Sequence, residues 1–113
     1  MMPHYLLSNI QNAVQNGTVV YESRRVAQQI QNLNYDLQEV CKCLLNLTET
    51  DFRKTQHYMD NGKPKICDEY LFQNEFSKRE GDDILIDDLY IKLRLTGNDL
   101  VVGLVSFHLE GSI

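Results

Sequence analysis

Residue types able to do chemistry cluster in the last quarter of this 113-residue chain. In Leu89-Tyr90-Ile91-Lys92-Leu93-Arg94-Leu95, apolar and polar side chains alternate without a break. A period of two is the pattern of a strand with one buried face. Leu89, Ile91, Leu93 and Leu95 then share the core face, and Tyr90, Lys92 and Arg94 line the opposite one. Neighbours in that row stand about 6.6 Å apart, and a phenol followed by two cations suits a phosphate-bearing ligand. The stretch after the next turn repeats the logic: Val105, Phe107 and Leu109 point inward, leaving Ser106 and His108 on the open face. A hairpin at Thr96-Gly97-Asn98-Asp99 brings His108 near Tyr90. Exposed sheet faces also carry Lys, Arg and Tyr for solubility alone, so the pattern by itself leaves both readings open.

The elements that must position these residues follow from periodicity. Leu6, Leu7, Ile10, Ala13 and Val14 recur at helical spacing, and Gly17 follows as a stop. Thr18 to Tyr21 is a short extended piece. Ser23 can cap a second helix with Val26, Ala27, Ile30 and Leu33 as its apolar stripe, and Asn34 ends it. Asp36 can cap a third helix carrying Leu37, Val40, Cys41, Leu44 and Leu45. Thr48-Glu49-Thr50-Asp51 resembles a capping arrangement that opens a short turn of helix through Lys54. Beyond Gln56 the pattern is strand-like: a turn at Asp60-Asn61-Gly62, a strand from Lys65 to Phe72, and a polar, acidic stretch over 73–88, read as an extended loop or a frayed hairpin arm. The fold class predicted is α+β, with N-terminal helices packed on a C-terminal antiparallel sheet of three or four strands. The chain is expected to be a single domain over 1–113, mainly helical over 1–55 and mainly sheet over 56–113, with the acidic insert at about 73–88.

Composition bounds the function. A hydrophobic fraction of 42% and a charged fraction of 24% are those of an ordinary globular protein. No apolar run approaches the roughly 18 residues of a membrane span, and Met1 to Leu7 lacks the basic and apolar regions of a signal peptide, so the expected location is cytoplasmic. Cys41, Cys43 and Cys67 form no disulfide framework and no zinc-ligand spacing, and no metal or cofactor is expected. The net charge of −5 weakens non-specific binding to nucleic acid. Its distribution is uneven, however: Arg53, Lys54, Lys63 and Lys65 stand against Asp60 alone, whereas Asp68 to Asp88 holds eight acids against Lys78 and Arg79.

Four segments carry a family resemblance in order along the chain. Leu47-Thr48-Glu49-Thr50-Asp51-Phe52-Arg53-Lys54-Thr55 is similar to a Leu-Ser-Glu-x-Asp-Phe-x-Lys-Ser segment of the MqsR-type toxins. Asp68-Glu69-Tyr70 resembles their Asp-Val-Tyr, and Tyr90-Ile91-Lys92-Leu93 resembles their Tyr-Leu/Ile-Lys-Ile/Leu strand. Val105-Ser106-Phe107-His108 resembles their closing Val/Ile-Ser-Phe and basic residue. The resemblance implies a RelE-like fold and a metal-independent endoribonuclease acting on mRNA. It further implies silencing by a cognate antitoxin, and a dimer formed through that antitoxin. By position, Lys54, Tyr90 and His108 carry over as catalytic candidates. Lys92, Arg94, Cys67 and Glu69 are the candidate substrate-binding residues, Cys67 standing where the family commonly has Gln. The stretch between Tyr70 and Tyr90 is longer and more acidic than the family pattern. Two other readings stay open: an inactive relative that keeps antitoxin binding, and a plain protein-interaction module.

Overall fold

The computed structural model describes residues 2–78 and 84–111. Helix α1 (Leu7–Asn16) buries Ile10 and Ala13 and stops at Gly17, where a Cβ would lie 2.0 Å from the Leu100 carbonyl oxygen. That close approach lets the Thr18 N–H donate to the same carbonyl at 2.9 Å and begins strand β1 (Thr18–Tyr21). The Ser23 hydroxyl accepts from the Val26 N–H at the start of α2 (Arg24–Asn32). Asp36 and Glu39 form a reciprocal capping box on α3 (Leu37–Asn46). Both helices thus begin where their capping residues predict.

The segment after Thr48 departs from expectation. The Thr48 N–H does donate to the Asp51 carboxylate at 2.8 Å, but only a single 3-10 turn forms over Glu49–Asp51. Strand β2 (Phe52–Asp60) starts at once, so Lys54 is a strand residue. Pairing decides this: Phe52 sits opposite Tyr70, their rings edge-on at 5.7 Å, and cross-strand packing of that kind overrides local preference.

Strands β3 (Lys63–Lys78), β4 (Ile84–Thr96) and β5 (Val101–Leu109) complete the fold. Among the described residues there are three α-helices and five strands, and the sheet order is β1-β5-β4-β3-β2. The sheet is therefore larger than the three or four antiparallel strands expected, and it is mixed, because β1 adds parallel to β5. The described residues of the acidic stretch, 73–78 and 84–88, are paired strand rather than loop, with Gln73 opposite Asp88 and Asn74 opposite Asp87. Asp87, 1% exposed, accepts from the Tyr35 hydroxyl at 2.7 Å, and Asn74 donates to that hydroxyl at 2.7 Å. These bonds give the polar side chains partners within the fold. Glu80, Asp82 and Asp83 of the insert lie outside the described residues.

The core joins Ile10, Val26, Ile30, Val40 and Leu44 from the helices to one face of the sheet. Leu89, Ile91, Leu93 and Leu95 of β4 all face it, as alternation predicts. Strand β5 does so differently. Val102, Leu104 and Phe107 are buried, a spacing of two and then three. Lys92 pairs with Ser106 but Leu93 pairs with Leu104, which leaves Val105 as the extra residue of a β-bulge. Val105 is half-buried and lines a cleft with Tyr58 and Glu22, so its predicted place in the core is corrected. The bulge moves Ser106 and His108 to the face that β4 gives Tyr90 and Lys92. In α2, the Gln29 side chain accepts from the Phe107 N–H at 3.0 Å.

Candidate active site

The four antiparallel strands set one row of side chains across the open face. Lys54 pairs with Glu69, Glu69 with Lys92, and Lys92 with Ser106. Glu69 is the centre of the row and is 1% exposed. The Lys92 ammonium lies 3.2 Å from its Oε1 and the Lys54 ammonium 3.7 Å from its Oε2. The Tyr90 hydroxyl donates to Oε2 at 2.6 Å. That bond, aided by burial, pushes the Tyr90 phenol up to about 12, so at neutral pH Tyr90 is a fixed donor, not a phenolate base.

Tyr90 links this row to His108. The two residues are paired across β4 and β5, and their rings stack with centroids 5.8 Å apart and planes 15° apart. His108 Nδ1 lies 2.8 Å from the Leu109 carbonyl oxygen. A carbonyl can only accept, so this contact assigns the proton to Nδ1 and leaves Nε2 as the nitrogen that exchanges protons. The open face thus brings Lys54, Glu69, Tyr90, Lys92 and His108 together from all four antiparallel strands.

Arg94 and Cys67 stand apart from that constellation. Arg94 Nε donates to Glu22 Oε2 at 2.6 Å. Glu22 fits there because Gly103 has no side chain: a Cβ would fall 1.8 Å from Glu22 Oε2. The arginine charge is therefore already matched by a carboxylate. Cys67 is 1% exposed, and burial pushes its thiol up to about 11, so it offers no thiolate at neutral pH.

The site also holds Glu22 and Gln56, which no motif in the sequence marks. Gln56 pairs with Cys67, and its Oε1 is buried with no hydrogen-bond partner among the described residues. Starting β2 at Phe52 would have revealed it, since Gln56 stands two residues beyond Lys54 on the same face. For Glu22 the available signal is Gly103, a glycine inside a strand, which marks a close approach by another group.

No set of three or more His, Cys, Asp or Glu able to hold a metal occurs among the described residues. No described helix is long and apolar enough to cross a membrane. Among curated proteins none matches the chain. The family described as motility quorum-sensing regulator, toxin of MqsA, matches residues 2–109, which include every residue of the constellation. The chain belongs to the MqsR toxin family, and it is the toxin of a toxin–antitoxin system, with an antitoxin as its partner.

Proposed function

We propose that this toxin is an endoribonuclease of the RelE-like kind that cleaves mRNA by attack of a 2′-hydroxyl on the adjacent phosphate, without a metal. The observation that carries this reading is the convergence of two ammonium groups and a phenol beside a stacked histidine. Cleavage of this type needs a base for the 2′-OH, positive charge at the phosphorane, and a proton for the leaving 5′-oxygen. His108 Nε2 takes the 2′-OH proton as the 2′-oxygen attacks phosphorus. Lys54 and Lys92 stabilise the charge that develops on the phosphoryl oxygens, and one of their ammonium groups protonates the 5′-oxygen as the P–O5′ bond breaks. The products are a 2′,3′-cyclic phosphate and a 5′-hydroxyl. Tyr90 directs its hydroxyl at the same centre. Neither Cys67 nor Arg94 is given a role, since one is covered and the other is paired with Glu22. The antitoxin silences the site in the cytoplasm, where the mRNA substrate is found.

The test is induction of the chain in a host lacking the antitoxin, with primer extension on total mRNA. Growth arrest with discrete new 5′ ends is expected. His108→Ala and Lys54→Ala, each folded, should lower cleavage by about 10²-fold or more. Cleavage by His108→Ala at the wild-type rate would remove the proposed base, and the absence of new ends with wild-type protein would remove the activity itself.

A further inference from the structure

The buried carboxylate of Glu69 is an odd component for a phosphate site. It places a negative charge where an anionic substrate is to bind, and it holds that charge out of water, which costs several kcal/mol unless partners compensate. Its partners are the Lys54 and Lys92 ammonium groups and the Tyr90 hydroxyl. The two lysines still reach solvent, with side chains 60% and 26% exposed, against 1% for Glu69. Carboxylate and phosphate oxygens draw on the same donors with similar geometry. A set of donors converged on one oxygen pair is therefore already shaped for a phosphodiester, and the exposed ends of the lysines leave it a way in.

We propose that Glu69 is a positioning residue whose carboxylate stands in for the RNA phosphate in the resting site. It keeps Lys54, Lys92 and Tyr90 converged, and it gives up a lysine contact when the phosphate arrives. The proposal rests on the ribonuclease reading of the open face and deepens it. Glu69 thereby weakens RNA binding and speeds turnover: its charge opposes the phosphate, while the geometry that it imposes spares the bound state any reorganisation. Tyr90 reports on the same contact, because its hydrogen bond to Glu69 holds the phenol proton and raises its titration.

The experiment compares wild type, Glu69→Gln and Glu69→Leu in two assays. The first is binding of a short 2′-O-methyl RNA of mixed sequence, which lacks the attacking hydroxyl, across a series of salt concentrations. Both variants should bind about threefold tighter or more, with a salt slope steeper by about 0.7, the increment for one further positive charge left unmatched against a single strand. The second is single-turnover cleavage of the corresponding 2′-hydroxyl RNA at saturating protein, where both variants should be about tenfold slower or more. Unchanged or weaker binding with an unchanged slope overturns the proposal, and so does undiminished cleavage by bound variants. Failure of the underlying reading looks different. Wild type that binds but does not cleave, with tighter binding by both variants, ends the ribonuclease assignment and leaves the stand-in role supported. Leucine carries no charge and no hydrogen bond, so agreement between the two variants assigns the binding effect to the lost charge.

Discussion

Asp68 and Glu69 are consecutive carboxylates, 0% and 1% exposed, on opposite faces of β3, and they do different work. On the helix face, Asp68 accepts from the His4 and Tyr5 N–H groups at 3.0 and 2.9 Å and from the Thr55 hydroxyl at 2.6 Å. The Tyr5 hydroxyl adds a bond to the Ile66 carbonyl at 2.8 Å. All these donors are neutral, and three of the four come from the segment before α1, so Asp68 pins that segment to the sheet. On the open face, Glu69 gathers two ammonium groups and a phenol instead. Its lysines have an alternative partner in water or substrate, whereas the donors on Asp68 are two backbone N–H groups and a hydroxyl with no charge to offer a phosphate. Burial is the same for both acids. The donors alone separate an anchor from a site.

Breaking that contrast should start with the anchor. Asp68→Ala leaves two N–H groups and a hydroxyl without their acceptor and should cost about 3 kcal/mol or more in urea unfolding; a loss under about 1 kcal/mol would erase the distinction between the two acids. Thr55→Val removes one of the same bonds and should cost about 1 kcal/mol, with RNA cleavage per folded molecule unchanged. Glu69→Leu sharpens the contrast from the other side. It removes a desolvated charge whose lysines can turn to solvent, so unfolding free energy should stay within about 1 kcal/mol of wild type while cleavage falls.

The smallest effect is in the pH dependence. The folded Tyr90 phenol titrates at about 12, above an unfolded value of about 10, so folding favours the protonated phenol. That contribution is complete below about pH 10 and is lost as pH rises through 12. Phenolate absorbance or NMR should show the Tyr90 titration moving down in Glu69→Leu and unmoved in Thr55→Val.

How legible the candidate site was depended on how regular each strand is. Strand β4 keeps strict alternation, so Tyr90, Lys92 and Arg94 could be placed on one face from sequence. In β5 the same rule works for Phe107 and His108 but misplaces Val105, because the bulge occupies one residue and alternation resumes after it. The resemblance points to Lys54, yet the capping pattern before it predicts a helical turn where the chain forms strand β2. The Thr48–Asp51 contact is a real capping signal, but pairing of Phe52 with Tyr70 ends the turn. Glu69 stands among the candidate substrate-binding residues in the sequence. Its burial beneath Lys54, Lys92 and Tyr90 had no sequence signal, since those partners come from two other strands.

The sequence by itself determined what depends on neighbours within a turn or a single strand. That includes the capped starts of α2 and α3, the stop at Gly17, the alternation of β4, and the turn at Thr96 to Asp99, where Gly97, Asn98 and Asp99 all adopt positive φ. Tertiary structure alone decided the addition of β1 parallel to β5, the bulge at Val105, the pairing of Arg94 with Glu22, and the donors that meet at Glu69. The physical reason is separation along the chain. A cap is settled over three residues, whereas Arg94 and Glu22 are 72 residues apart. Such contacts exist only once register and loop closure have brought the strands together.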